Sequence, residues 1–234
     1  MIDGAMGSDV GVKYAANFDV AHLAEQPLLA VVADGMGDSE GSALAGRTAV
    51  DTFVEEVHGS VGPGQLRAAV ALAQDRVIDI GRTRDVGLAG CTLTALADGG
   101  DKGWWITHIG DSRAYRLRGD LLELLTNDHT NAWTAITHGI YAFDSPHAER
   151  GRYQLTRYVG HQKRPEPDVL NVNPAPGDVF LLCSDGISDQ IPFLTLREIL
   201  SLEADAETKV RRLLEAADDA GGGDNATAAV VAVH

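Results

Sequence analysis

The chain has few residues of the kinds that mark disulfide-bonded, zinc-binding or membrane proteins. It contains two cysteines, Cys91 and Cys183, and both lie inside apolar runs, where a reduced thiol acts as a small buried hydrophobic side chain. Neither has a partner at a spacing that holds zinc. No apolar run approaches the roughly 20 residues that cross a bilayer, and residues 1–10 lack the basic and apolar parts of a signal peptide. These absences predict a cytoplasmic protein without a membrane partner.

Basic residues are also scarce. The sequence has 19 lysines and arginines against 34 aspartates and glutamates, which gives a formal net charge of −15. Because nucleic-acid binding depends on positive charge against phosphates, this balance argues against a nucleic-acid partner and against a two-metal nuclease. An acidic surface alone indicates only solubility. We expect the chain to act as a monomer.

What the chain does contain is a succession of strands and helices that fits a layered fold. Its 234 residues, 44% of them hydrophobic, are enough for one domain over residues 1–234. The order lacks the regular alternation of a parallel sheet, so we predict an α+β fold with two antiparallel sheets flanked by helices. Predicted strands cover residues 10–14, 19–23, 27–33, 91–97, 104–109, 113–118, 121–125, 155–159, 168–172, 178–184 and 227–233; predicted helices cover 40–57, 66–80, a segment opened by a capping box at 195–198, and 208–217.

Four aspartates stand at the ends of predicted strands. Asp34, Asp111 and Asp185 each follow an apolar run, and Asp224 comes just before the last strand. Each could simply cap or turn its own strand end. Together, with no cysteine or histidine spaced for zinc, they predict an all-oxygen site of the kind that binds Mg²⁺ or Mn²⁺ and often performs phosphoryl chemistry.

The ordered set of motifs resembles the metal-dependent serine/threonine protein phosphatases (PPM, type 2C), and in particular their bacterial branch. The resemblance runs nearly end to end and implies a four-layer α-β-β-α sandwich. The motifs that carry it are Asp34-Gly35-Met36-Gly37, Gly90-Cys91-Thr92-Leu93-Thr94, Gly110-Asp111-Ser112-Arg113, Thr126-Asn127-Asp128-His129, Leu155-Thr156-Arg157, Ser184-Asp185-Gly186 and Gly223-Asp224-Asn225-Ala226-Thr227.

The resemblance implies a catalytic centre with two divalent cations, Mn²⁺ or Mg²⁺. Asp34 would bridge both metals, the Gly35 carbonyl would hold one, and Asp185 and Asp224 would complete the pair. Asp111, with Asp185, would hold a third and weaker metal. A water shared by two cations loses a proton near neutral pH, so it can attack phosphorus in line without a phosphoenzyme. The expected substrates are phosphoserine and phosphothreonine proteins, the products of a bacterial Ser/Thr kinase.

The first family motif is where this sequence departs. Asp19, which would act through a water on the metals, is kept. Tyr14 replaces the arginine that would grip the substrate phosphate, although Lys13 is adjacent, and Phe18 replaces a polar residue. Lys13 and Tyr14 are therefore the substrate-binding candidates, with a weaker hold on phosphate than a bidentate arginine gives. These changes keep open an alternative, a catalytically weak or inactive member that binds a phosphoprotein or a kinase as a regulator.

A variable flap beside the active site is implied around residues 131–160. Periodicity is lost over residues 127–152, and we expect an irregular segment with one short helix. Tyr141, Phe143, Asp144 and His147 are candidates for substrate contact, and a plain surface loop is the alternative.

Overall fold

The computed structural model of the chain describes residues 1–59, 61–84, 86 and 89–234. Within those residues it contains ten strands and seven α-helices. The strands are β1 (Ile2–Asp9), β2 (Val20–Glu25), β3 (Leu28–Ala33), β4 (Leu93–Asp98), β5 (Trp104–Ile109), β6 (Arg113–Arg118), β7 (Leu121–Leu124), β8 (Asp168–Val172), β9 (Val179–Cys183) and β10 (Ala226–Val233). The helices are α1 (Glu40–Glu56), α2 (Pro63–Thr83), α3 (Asn131–Thr137), α4 (Pro146–Arg152), α5 (Asp185–Ser188), α6 (Phe193–Leu200) and α7 (Ala206–Asp219).

The strands form two five-stranded sheets, and every neighbouring pair is antiparallel. One sheet has the order β1-β10-β9-β6-β7, and the other has the order β2-β3-β4-β5-β8. β1 pairs with β10 along its whole length, from Ile2 opposite Val233 to Asp9 opposite Ala226. The two antiparallel sheets of the predicted α+β fold are confirmed.

The core explains why β3 reads as a continuous apolar run. Successive side chains of a strand point to opposite faces, and both faces of β3 are covered. Leu29, Val31 and Ala33 pack against α1 and α2, whereas the alternate residues of β3 pack against the other sheet. Helices α6 and α7 cover the outer face of that other sheet. The layers are therefore helix, sheet, sheet and helix, which confirms the four-layer sandwich.

Several details differ from the sequence-based prediction. Residues 10–14 are a loop rather than a strand, because the Val10 carbonyl accepts from the Asn225 side chain and the Val12 amide donates to the Gly222 carbonyl. Helix α6 begins at Phe193 with Pro192 at its N-cap, so no capping box at residue 195 opens it. Residues 155–159 make isolated bridges in place of a strand, and the flap holds two short helices, α3 and α4.

Among the described helices, none combines the length and the hydrophobicity that a bilayer crossing requires. Both cysteines are free and buried, as the apolar runs around them predict.

Candidate active site

Asp34 is fixed at the point where β3 leaves its sheet. Its backbone amide donates to Thr92 Oγ1 at 2.9 Å, and its carbonyl accepts from the Thr92 amide at 2.8 Å. Thr92 Oγ1 in turn lies 2.6 Å from the buried Ser112 hydroxyl. Gly35 follows, and a Cβ there would lie 2.7 Å from the Ser42 carbonyl oxygen and 2.8 Å from that of Phe18. Only glycine therefore fits at position 35. The neighbouring Asp34 lines the adjoining pocket.

Asp185 and Asp224 are brought together by the pairing of β9 with β10. Asp185 begins α5 directly after β9, and Asp224 precedes β10. Ser184 ties the two segments, because its amide donates to the Thr227 carbonyl and its hydroxyl accepts from the Thr227 amide at 3.0 Å. The same hydroxyl donates to Asp19 Oδ2 at 2.7 Å. Asp19 is thereby held behind the pocket rather than on its wall.

Asn225 holds the loop that follows β1 against the segments that carry Asp185 and Asp224. Its amide nitrogen donates to the carbonyls of Val10 and Ala16, and its Oδ1 accepts from the Phe18 amide at 2.8 Å. A Cβ on Gly186 would overlap the Asn225 carbonyl oxygen, so the segments that carry Asp185 and Asp224 pack at backbone contact. The sequence pattern marked Asn225 as part of a motif, but the structure shows what it holds.

These segments enclose a pocket of about 260 Å³. Five residues expected to hold metals line it, together with Tyr14 from the substrate-binding pair. Lys13 lies at its edge, with Nζ 3.7 Å from Asp224 Oδ2 and 4.5 Å above the Tyr14 ring. The lining residues are Tyr14, Phe18, Asp34, Gly35, Met36, Gly37, Thr92, Asp111, Tyr153, Leu155, Asp185, Asp224 and Asn225.

The pocket crowds several acids together, and the basic side chains near them, Lys13 and Arg113, lie outside its lining. Burial, followed by the neighbouring carboxylates, raises the pKa of Asp34 and Asp111 well above the usual value. The same causes raise the pKa of Asp185 to about 6 and that of Asp19 to about 7. Asp19 Oδ1 and Asp185 Oδ1 are buried and have no hydrogen-bond partner. No arginine, lysine or histidine is among the described residues that line the pocket.

This donor set suits hard divalent cations, which take oxygen ligands and offset carboxylate repulsion. The carboxylates line one pocket. Among the described residues, however, no three acidic, histidine or cysteine side chains are arranged closely enough to form a preformed metal site. Mg²⁺ commonly keeps several waters and few protein ligands, so an open arrangement of this kind is compatible with it.

A chain of hydrogen bonds behind the pocket positions the turn that carries Asp111. The preceding residue, Gly110, has φ +117°, and its amide donates to His129 Nδ1 at 3.0 Å. His129 Nε2 therefore carries the proton and donates to Asp168 Oδ2 at 3.0 Å. Arg157 donates to the other oxygen of Asp168 at 2.8 Å. The motif residues His129 and Arg157 thus connect the Gly110–Asp111 turn to the returning end of the flap.

The flap contributes to the pocket through residues that the sequence did not single out. Tyr153 and Leu155 line it, whereas the four flap candidates do not. Tyr141 and His147 stack on each other at a separate surface pocket, and Phe143 lines a larger cavity of about 460 Å³ beside α6. An aromatic residue just before the Leu155-Thr156-Arg157 motif was the available signal for Tyr153.

Comparison with known proteins identifies the family. Residues 15–230 match the family described as Protein phosphatase 2C. The serine/threonine protein phosphatase PstP of Mycobacterium tuberculosis is 32% identical over 98% of this chain, and this chain spans 44% of the length of PstP.

Two solved structures are similar over their full length. PppA from Pseudomonas aeruginosa is 33% identical with a TM-score of 0.89, and covers 100% of this chain and 98% of its own. The catalytic domain of PstP in complex with two manganese ions is 29% identical with a TM-score of 0.86, and covers 100% of this chain and 99% of its own. The chain therefore belongs to the protein phosphatase 2C family of serine/threonine protein phosphatases.

Proposed function

We propose that this chain is a metal-dependent phosphoserine and phosphothreonine protein phosphatase that works as a single domain over residues 1–234. The observation that carries the proposal is the pocket of four carboxylates, Asp34, Asp111, Asp185 and Asp224, which has an unpartnered buried oxygen at Asp185 Oδ1 and no basic residue among its described lining. A pocket of this charge repels a phosphate monoester unless cations occupy it. Metal dependence therefore follows from the pocket as well as from the family.

The residues proposed to hold two cations, Mn²⁺ or Mg²⁺, are Asp34, the Gly35 carbonyl, Asp185 and Asp224, and Asp111 would hold a third. Two manganese ions in the similar PstP catalytic domain support this assignment. When bound, the cations supply a water of lowered pKa as nucleophile and positive charge against the phosphoryl oxygens. The Thr92 contacts keep Asp34 in place. Ser184 holds Asp19 through Oδ2, and the buried Oδ1, which has no hydrogen-bond partner, is the oxygen that would accept from a water.

The substrate phosphate has one cationic side chain within reach at this edge of the pocket. Lys13 is half exposed and is held beside Asp224 and above the Tyr14 ring. As a point charge it would attract the phosphate without the two parallel hydrogen bonds of an arginine. Lys13 and Tyr14 remain our substrate-binding candidates. Because a lysine lacks the paired hydrogen bonds of an arginine, we expect phosphate binding to be weak when no metal is bound.

The departures at Tyr14 and Phe18 favour a second candidate function, a regulator that keeps the fold and binds a phosphoprotein or kinase with little turnover. Retention of the metal carboxylates argues for catalysis, because a pure binding module has no use for a cluster of mutually repelling buried acids. Phosphoproteins made by a Ser/Thr kinase are the proposed substrates. That the protein acts in the cytoplasm and that it acts as a monomer both remain predictions.

The deciding experiment is hydrolysis of p-nitrophenyl phosphate and of a phosphothreonine peptide with EDTA, Mg²⁺ or Mn²⁺. Wild type is compared with Asp185→Asn and with Asp120→Asn, a control in the exposed turn between β6 and β7. We expect turnover only with metal, abolished in Asp185→Asn and kept in Asp120→Asn, and calorimetric Mn²⁺ titration should show weaker binding in Asp185→Asn alone. Turnover in EDTA, or wild-type rates in Asp185→Asn, would refute the metal mechanism. Metal binding without turnover would favour the regulator.

A further inference from the structure

The pocket has a second side whose chemistry differs from that of the carboxylates. Besides the acids, the pocket is lined by Tyr14, Phe18, Tyr153 and Leu155, which we call the aromatic wall. The first two come from the loop after β1, and the last two come from the end of the flap. The wall carries no positive charge for phosphate and no carboxylate for a metal, so its rings are available for a further role beside the phosphate contact proposed for Tyr14.

The half of the wall after β1 is a fixed surface. The rings of Tyr14 and Phe18 meet edge to face, with centroids 6.2 Å apart and planes at 85°. The Phe18 backbone is fastened by its hydrogen bond to Asn225, next to the proposed metal ligand Asp224. The backbone that carries the Phe18 ring is therefore positioned by the same residue that anchors the site.

The flap half is also held, although its tyrosine ring is open to solvent. Tyr153 is 76% exposed, and within the described residues its ring makes no stacking contact or side-chain hydrogen bond. Its backbone is anchored on both sides: the Tyr153 amide caps α4 at the Gly151 carbonyl, and Leu155 bridges to Thr130. The Gln154 side chain accepts from Asn131 at 2.9 Å. An aromatic ring on a fixed backbone loses little conformational entropy when a ligand covers it.

The charges around the wall select the kind of ligand. The described lining residues of the pocket offer no basic side chain, and the nearby Lys13 is already 3.7 Å from Asp224. Among the described lining residues, an acidic residue next to the phosphorylated one would find no basic side chain to pair with. An apolar or aromatic residue would instead bury the exposed ring of Tyr153.

We propose that the aromatic wall binds the side chain next to the phosphorylated residue, so that the chain prefers phosphopeptides with an apolar or aromatic neighbour and disfavours an acidic one. This inference rests on the proposed phosphatase function and names the substrate class of that site. Tyr153 is its specificity-determining residue. Because the ring supplies the contact, the hydroxyl group of Tyr153 is dispensable for it.

The test uses three phosphothreonine peptides that differ only in the two residues flanking the phosphorylated one, which are alanine, phenylalanine or glutamate. The readout is the ratio of kcat/KM values with Mn²⁺. One well-placed aromatic contact corresponds to a preference of roughly 3- to 10-fold for phenylalanine over alanine. The glutamate peptide should fall below the alanine peptide.

Variants of the wall identify the residue responsible. Tyr153→Ala should bring the phenylalanine-to-alanine ratio to within about twofold of one, on the same scale of aromatic contact energies. Tyr153→Phe should keep the ratio, because the ring remains. The matched control is Tyr141→Ala, which removes a flap tyrosine that faces His147 outside the pocket and should keep the wild-type ratio.

A second measurement separates this inference from the proposed function. Peptide Kd values are measured by calorimetry with Mn²⁺ on wild type and Tyr153→Ala, using peptides with a non-hydrolysable phosphonate in place of the phosphate, so that binding is read without turnover. No hydrolysis of any substrate, but the same order of affinities, would refute the phosphatase function and support the wall. Hydrolysis with equal ratios for the three peptides, or an unchanged ratio in Tyr153→Ala, would overturn the wall and leave the phosphatase function standing.

Discussion

The most informative single substitution is at His129, because this side chain accepts one hydrogen bond and donates another inside the protein. Its Nδ1 accepts from the buried Gly110 amide, and its Nε2 donates to Asp168. The ring also lies against that of His108, with centroids 4.6 Å apart. In His129→Leu both hydrogen bonds are lost, whereas in His129→Asn the side-chain oxygen can take the place of Nδ1.

The expected cost follows from these contacts. A buried amide left without an acceptor costs about 1–3 kcal/mol. The bond to Asp168 is worth less, about 0.5–1 kcal/mol, because that carboxylate is half exposed and keeps Arg157 as a partner. His129→Leu should therefore lower the free energy of unfolding by about 2–4 kcal/mol, and His129→Asn by about 1–2 kcal/mol. Because Gly110 positions Asp111, the leucine variant should also need more Mn²⁺ for half-maximal turnover.

The assay is urea unfolding of the EDTA-treated protein at pH 7.5 and pH 5.5, with equal m values as the check on two-state behaviour. Burial lowers the pKa of His129 despite the bond to Asp168, so the folded state keeps the ring neutral. Unfolded His129 takes up a proton below pH about 6.5, and the contribution of the neutral ring is lost as the pH falls through that value. The stability difference between wild type and His129→Leu should narrow at pH 5.5. Equal losses in the leucine and asparagine variants would refute the role given to the Gly110 hydrogen bond.

Two further predictions test the packing around the site and an ion pair between a buried carboxylate and a partly exposed arginine. Gly186→Ala should destabilise the protein by about 1–3 kcal/mol and abolish metal-dependent turnover, because the new methyl group overlaps the Asn225 carbonyl. Its control is Gly64→Ala in the first turn of α2, where a Cβ meets nothing within 4 Å. Burial would raise the pKa of Asp178, but hydrogen bonds from Arg118 and from a backbone amide outweigh it and hold the pKa below its usual value. The stability that wild type has over Asp178→Asn should be present at pH 5 and decrease as the pH falls below about 3.9.

Each of these has a clear contrary result. Wild-type turnover and stability in Gly186→Ala would show that the segments of Asp185 and Asp224 can separate without cost. Thermal unfolding of both glycine variants in EDTA distinguishes a packing effect from loss of metal. If the stability gap between wild type and Asp178→Asn stayed constant from pH 5 to pH 3, the carboxylate charge would not be the source of the stabilisation.

The layers of the fold were predictable because β3 carries its own signature. A strand that is apolar at every position has to be covered on both faces, and Leu28 to Ala33 fulfils this between α1, α2 and the second sheet. The four aspartates were predictable for a related reason, since Asp34, Asp111 and Asp185 follow apolar runs and Asp224 precedes one. Their confinement to one pocket required the pairing of strands far apart in sequence, which the motif order of the family supplied.

The errors fall where tertiary contacts decide the local structure. β1 contains Gly4 and Gly7 and has a weak strand pattern, and it forms because β10 offers a full-length antiparallel partner. Residues 10–14 have a stronger strand pattern, but they form a loop because their backbone groups are hydrogen-bonded to Asn225 and Gly222. Tyr153 was missed because its place at the pocket depends on how α4 and Leu155 are anchored to the segment after β7.

The carboxylates of the pocket come from both sheets: Asp34 ends a strand of one, while Asp185 and Asp224 adjoin strands of the other. Cations bound by these carboxylates would link the two sheets. By mass action, a cation at 100 times its dissociation constant stabilises the folded protein by about 2.7 kcal/mol. The reverse also holds, since the affinity for the cations depends on how closely the two sheets pack. Residues such as Val32 and Leu182, which are buried in the core between the two sheets, would thereby help to set the metal affinity of the proposed site.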